Sequence, residues 1–213
     1  EWRAYGYGFP EAPERLRMLD QGVQIMRQAW ETGTATLQGE HYQVSGAIVR
    51  PLPLQEGGIP LWVAGGGEKV TLRIAAQHAR YTNFNGGAEE FARKSELLRG
   101  HCAKRGTDFD AITRSSNFNT IIGATDAEVR DRIDAVEARL VPHLGARRAA
   151  DIVAQYREPS PAQAVAGTPE QIVDVLRERR DLGLGYSIHY FPESAYDRSS
   201  VELFEREVIP ALA

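Results

Sequence analysis

Apolar residues recur at helical spacing near the start of the chain. Leu16, Leu19, Val23, Met26 and Trp30 stand three or four apart, which lays them on one face of a helix opened by Pro13 and Glu14 and closed at Thr32-Gly33. That stripe reads as core packing. Two short β-type segments, 34–37 and 41–44, flank Gln38-Gly39-Glu40 and predict a small hairpin. Residues 51–58 are loop by composition. They lead into the longest apolar run, 59–64, which predicts a buried strand. A helix to about residue 79, a strand over 81–85, a helix over 88–105 and an extended segment over 112–122 follow. Thr125 is a fair N-cap for a helix over 126–140, with Val129, Ile133, Val136 and Leu140 on one side. Residues 142–166, rich in Ala and Arg and ending in Pro159-Ser160-Pro161, read as a partly helical excursion. Thr168-Pro169-Glu170-Gln171 forms a capping box and opens a helix that stops at Gly183. A strand over 186–191 and a helix over 199–209 close the chain.

Short strands alternating with helices mean an α/β fold with parallel strands and right-handed crossovers. An open doubly wound sheet and a portion of a (β/α)₈ barrel both satisfy that pattern.

Composition narrows the partners. The chain has 213 residues, a formal net charge of −4, and acids and bases mixed along its length. The densest basic cluster, Arg177, Arg179 and Arg180, is flanked by Glu178 and Asp181, so it reads as a solvated helix face. No nucleic-acid partner is expected. No run approaches the ~18 apolar residues of a membrane span, so no membrane partner is expected either. Cys102 is the single cysteine. It excludes an intrachain disulfide and fits a cytoplasmic location. Its helical neighbours Phe91 and Leu98 make it a packed thiol.

The most chemical feature is Gly65-Gly66-Gly67-Glu68-Lys69, between the apolar strand and a helix. Glycines let a backbone turn sharply and approach a ligand, and free N–H groups at such a turn can hold an anion such as phosphate. Lys69 can add charge, and Glu68 opposes an anion unless it points away. Val70 stands where a dinucleotide fingerprint needs its last glycine. A tight strand-to-helix turn without a ligand is the alternative.

Several motifs run in a familiar order: Tyr5-Gly6-Tyr7-Gly8-Phe9-Pro10, Glu14-Arg15-Leu16, Leu37-Gln38-Gly39-Glu40-His41-Tyr42, Pro60-Leu61-Trp62-Val63-Ala64-Gly65-Gly66-Gly67-Glu68-Lys69, Thr82-Asn83-Phe84 and Gly167-Thr168-Pro169-Glu170-Gln171. In these the chain resembles the luciferase-like monooxygenase superfamily, and within it the actinobacterial oxidoreductases that depend on coenzyme F420. The resemblance implies a TIM barrel, (β/α)₈, of the bacterial luciferase type, with the cofactor at the C-terminal mouth of the strands. It implies that Tyr5, Ala64, Gly65, Gly66, Gly67, Glu68, Lys69 and Asn83 meet the cofactor, F420 or alternatively FMN. The family carries an acidic residue near the position of Arg80; here a charge is reversed.

A whole barrel of this type takes about 250 residues or more. The motifs cover its fifth to eighth strand-helix units, so residues 1–213 are expected to be the C-terminal half of one domain, with a hairpin and loop at 34–58 and the excursion at 142–166. The chain opens Glu1-Trp2-Arg3 without an initiator Met or signal pattern; removal of a preceding segment or a start inside a longer protein is expected. Four parallel strands alone leave open edges, so a homo-oligomer, or a missing half, is expected to cover them.

Two single residues are candidate catalytic groups. Strand alternation sends His189 and Ser187 to one face and Ile188 and Tyr190 to the other. At the mouth His189 can donate a proton; elsewhere it is a packed, hydrogen-bonded histidine. Asn117 leads the polar group Ser115, Ser116, Asn117 and Asn119, which can line a mouth or satisfy strand ends. No histidine pair has metal-ligand spacing with carboxylates, and no metal is expected. The resulting expectation is a hydride transfer between reduced F420 and a small organic molecule. An FMN-dependent monooxygenase and a non-catalytic half-barrel module for binding or assembly are the alternatives.

Overall fold

The computed structural model describes residues 1–2, 4–56, 58–157 and 164–213. Helix α1 (Ala12–Thr32) has Pro13 in its first turn and ends on Gly33 in the left-handed conformation. Strands β1 (Thr34–Gln38) and β2 (Gln43–Ile48) pair antiparallel as the hairpin the sequence predicts, with the second arm shifted two residues along.

The sheet that follows is wholly parallel. It comprises β3 (Trp62–Ala64), β4 (Tyr81–Asn83), β5 (Thr113–Ile122), β6 (Ala164–Gly167) and β7 (Leu184–Tyr190). Helices α2 (Thr71–His78) and α3 (Ala88–Arg105) form the crossovers from β3 to β4 and from β4 to β5. Helices α4 (Asp126–Leu144) and α5 (Ala146–Arg157) precede β6, and α6 (Pro169–Asp181) leads to β7. The chain ends in α7 (Ser199–Leu203), one π turn and α8 (Ile209–Leu212).

Asn119 pairs with Ala164 of β6 and with Tyr190 of β7. The two strands therefore flank β5 on opposite sides. β7 continues the order β3-β4-β5, and β6 extends the β4 side beyond the short β4. Among the described residues β3 is laddered only to β4, and β7 only to β5. No closed barrel is present among them.

Three expectations need correction. The run 59–64 is not a fully buried strand: only Trp62–Ala64 is β, with Val63 buried while Trp62 and Ala64 are exposed. Its other face is open, so apolar content alone overstated its burial. The stretch 142–166 is helical in part, as expected, and also carries a strand that the sequence does not announce. α4 runs on through Pro142, α5 is regular, and β6 begins at Ala164; Pro159-Ser160-Pro161 lies outside the described residues. The last strand begins at Leu184, before the predicted start.

The sheet has two unlike faces. On one, Val63, Phe118 and Ile122 join Leu72, Ile74, Phe84, Phe91, Leu98, Ile172, Leu176 and Phe204 in the main core under α2, α3, α6 and α7. On the other stand Trp62, Ser115, Asn117, Tyr186, Ile188 and Tyr190. Trp62 stacks on Tyr81 at 4.7 Å between ring centroids and meets Tyr186 edge-on at 5.2 Å. Ile121 alternates with Ile122 onto this second face and packs with Val129, Ile133, Val136, Val153 and Tyr156. The α4–α5 pair thus walls the C-terminal end of the face that carries Asn117.

Candidate functional site

The glycine turn leaves β3 at Gly65, whose φ of 126° excludes an ordinary side chain. Gly65 donates its N–H to the carbonyl of Asn83 at 3.1 Å, so this group is not free for a ligand, as a bare glycine loop would suggest. The N–H groups of Gly66 and Gly67 have no backbone partner among the described residues. A Cβ added to Gly66 would lie 2.8 Å from Lys94 Nζ, and one added to Gly67 would lie 2.6 Å from Thr71 Oγ1. The turn therefore presses against an ammonium and a hydroxyl, a cradle that only glycine leaves open. Helix α2 begins at Thr71, four residues past Gly67, and Leu72 N–H takes the Gly67 carbonyl at 3.0 Å.

Lys94 is not marked as a site residue by its sequence position. It lies 28 residues beyond Gly66 on α3, is 9 % exposed, and bonds the Asn85 carbonyl at 3.3 Å and Glu90 at 3.1 Å. A cation at that depth needs partners, and the only sequence signal was a lysine on the apolar side of a helix. Arg179 of α6, 2 % exposed, reaches the Gly86 carbonyl at 3.4 Å and adds a second buried cation on the same side. Glu68 is turned outward. Its carboxylate pairs with Arg93, and that bond holds it below the usual carboxylate range. Its carbonyl accepts from His101 Nε2 at 2.8 Å, which assigns the proton to that nitrogen. The objection that Glu68 repels an anion is thereby removed. Lys69 is exposed on the turn.

Beside the turn, parallel pairing aligns Ala64, Asn83 and Ser115 across three strands. Asn83 Nδ2 donates to Ser115 Oγ at 3.0 Å and to Asn117 Oδ1 at 3.1 Å. Ser115 Oγ donates to the Thr82 carbonyl at 2.9 Å. Asn83 thus joins the glycine turn through its main chain and Asn117 through its side chain. Ala64, Gly65, Gly66, Gly67, Asn83 and Asn117 are brought together, while Glu68 on the same turn points away to Arg93 and Lys69 is exposed.

Three further positions do not join them. Tyr5 is 74 % exposed; its neighbours Trp2 and Phe9 line an apolar groove on α1 with Arg15, Leu19 and Met26. No hydrogen bond or ring contact links Tyr5 to the turn among the described residues. His189 faces the helices, away from Asn117. It stacks on Phe118 at 5.2 Å and packs against Phe204 at 4.5 Å, while Nδ1 meets Thr120 Oγ1 at 2.8 Å. Burial lowers its imidazole to about 4, so it is a neutral packed histidine. Arg80 lies at the opposite end of the strands and bonds the Ala111 carbonyl at 3.0 Å.

Past β7, Glu193 is 2 % exposed and pairs at 3.2 Å with Arg132 of α4, which also holds Glu128 and Ser199. This clamp fixes the loop after β7 to the α4 wall. Among the described residues no group of three His, Cys, Asp or Glu is arranged to hold a metal, and no helix is long and apolar enough to cross a membrane.

A parallel α/β sheet with a glycine turn over a buried cation at its C-terminal strand ends defines the class: an α/β protein whose geometry suits an anionic cofactor. Residues 1–185 match the luciferase-like monooxygenase family, and the chain belongs to it. Among curated proteins it is 27% identical over 224 residues to an F420-dependent glucose-6-phosphate dehydrogenase of Rhodococcus hoagii; the match takes in 96% of this chain and 63% of that protein. The chain thus spans less than two thirds of the length of that relative. Among solved structures, the coenzyme F420-dependent tetrahydromethanopterin reductase of Methanopyrus kandleri superposes with a TM-score of 0.75 at 17% identity, covering 100% of this chain and 71% of that one. An F420-dependent secondary alcohol dehydrogenase superposes with a TM-score of 0.74 at 18% identity, covering 100% and 66%. At such identities these structures establish the shared fold.

Proposed function

We propose that this chain is the C-terminal half of a luciferase-like barrel that moves a hydride between reduced coenzyme F420 and a small organic substrate. The observation that carries the reading is Gly66 seated over Lys94, with N–H groups at Gly66 and Gly67 that have no partner among the described residues. Those groups fit the phosphate of a deazaflavin cofactor, with Lys94, which also pairs with Glu90, beneath them. The similarity to F420-dependent relatives over 96% of the chain supports the same cofactor. When bound, the deazaflavin supplies the carbon that gives or takes the hydride. The chain's own residues bind and orient. The turn holds the anionic end, Asn83 ties the turn to the sheet, and Asn117 faces the open side where the ring would lie. Glu68 is kept out of the site by Arg93.

The half-barrel reading has its own support. β3 and β7 each keep one unladdered edge among the described residues, and Trp62, Tyr186, Ile188 and Tyr190 stand exposed on one sheet face. The remaining half of a barrel, or a second copy, would cover them. Cytoplasmic residence accords with this function and with the lone buried Cys102.

The test is equilibrium titration of the protein with F420 and, separately, with FMN, followed by the change in cofactor fluorescence. Saturable binding of F420 in preference to FMN is expected. Preference for FMN would move the reading to a flavin-dependent monooxygenase. Binding of neither would leave a non-catalytic module.

A further inference from the structure

We infer that Asn117 binds the cofactor ring as a hydrogen-bond donor with a fixed sense, recognising a carbonyl of the pyrimidinedione that deazaflavin and flavin share. The inference rests on the cofactor reading above and adds to it the polarity of one contact. The sense follows from counting protons along the ladder. Ser115 is fully buried, and its single hydroxyl proton goes to the Thr82 carbonyl at 2.9 Å. Ser115 Oγ can then only accept from Asn83, 3.0 Å away. An amide nitrogen, not the amide oxygen, must therefore face Ser115, which settles the orientation of Asn83. The second proton of the same Nδ2 points to Asn117, 3.1 Å away. An –NH₂ group cannot accept, so Asn117 turns its oxygen to Asn83 and its own –NH₂ away. That group has no partner among the described residues, and Asn117 lies on the exposed part of β5.

The chain Thr82 carbonyl, Ser115, Asn83, Asn117 is thus a one-way relay of donors. It starts at a main-chain oxygen locked in the sheet and ends at two N–H bonds on the open face. Asn83 also accepts from Gly65 N–H through its carbonyl at 3.1 Å, so the relay is anchored to the turn proposed to hold the phosphate. A ligand fixed at that turn and lying along the sheet meets the –NH₂ group of Asn117, which can only donate. A carbonyl satisfies it; a ring N–H does not.

The experiment uses Asn117→Asp, which replaces –NH₂ by oxygen at constant shape and keeps the oxygen that accepts from Asn83. F420 titrations of parent and variant, with thermal midpoints for both, give the binding readout. Side-chain amide resonances of ¹⁵N-labelled parent provide a second readout that no variant can spoil. The expected results are at least tenfold weaker binding in the variant at an unchanged midpoint, and an Asn117 –NH₂ pair that exchanges rapidly with water in the free protein and shifts on F420 addition. Equal affinity in the variant, or an Asn117 pair protected before ligand is added, overturns the inference and leaves the cofactor reading standing. No saturable binding by the parent overturns the cofactor reading, and the inference with it.

Discussion

Gly66→Asp puts the greatest strain on the proposed anion site with the least damage to the fold. Gly66 is not among the glycines with left-handed φ, so the backbone accepts a side chain there. The new Cβ would meet Lys94 Nζ at 2.8 Å and Cε at 3.6 Å, the far end of a flexible side chain that can withdraw. The folding cost is therefore under about 1 kcal/mol. Binding is another matter. The carboxylate pairs with Lys94 and removes the cation from the site. It also stands where a phosphate would lie. Two unit charges 4 Å apart repel by about 4 kcal/mol at an effective dielectric constant of 20. Salt screens part of this on an exposed turn. A net loss of about 2–4 kcal/mol remains, which weakens F420 binding roughly 30- to 1000-fold. Fluorescence titration at low and at high salt measures it, and the deficit should shrink as salt rises. Gly66→Ala keeps the charge balance and should cost about tenfold or less. An Asp variant that binds within threefold of the parent at an unchanged thermal midpoint would refute the site.

Three further outcomes follow from the packing. Burial lowers His189 to about 4 from 6.5, so between those values the unfolded chain binds a proton that the folded chain does not. Stability is accordingly lost as pH falls from 6.5 to 4, by roughly 3 kcal/mol, and His189→Phe should flatten that slope in chemical denaturation while leaving Thr120 without its partner. Arg132→Ala leaves Glu193 buried and unpaired and should cost about 3–5 kcal/mol in urea unfolding; a loss under about 1 kcal/mol would show that the clamp is dispensable. Thr168→Ala removes the cap that accepts from Gln171 and should cost about 1 kcal/mol by the same assay.

How much of this was legible in the sequence depends on the range of the interaction. α3 ran over 88–105 as read, because Gly87, the acidic first turn and Gly106 mark its ends locally. The capping box at Thr168 and Gln171 is legible for the same reason. β6 was missed: four small residues after α5 carry no period of their own, and their strand state comes from pairing with β5, more than forty residues earlier. The glycine turn was visible, but its cation was not. Lys94 reaches Gly66 through the packing of α3 beside α2, which no spacing encodes. Asn83 and Asn117 are each conspicuous in the sequence, yet their bond depends on strand register across 34 positions. Alternation placed His189 and Ser187 on one face of β7 and left open whether that face was the mouth; the structure puts it against the helices.

The most direct test of the central claim is a ¹⁵N–¹H shift map of the protein titrated with F420. The account predicts the largest perturbations at Gly66, Gly67, Lys94, Asn83 and Asn117, with the apolar groove of Trp2, Phe9 and Met26 on α1 unmoved. Perturbations centred on that groove, or on a cavity lined by Trp30, His78, Arg80 and Ile112 at the other end of the sheet, would contradict it.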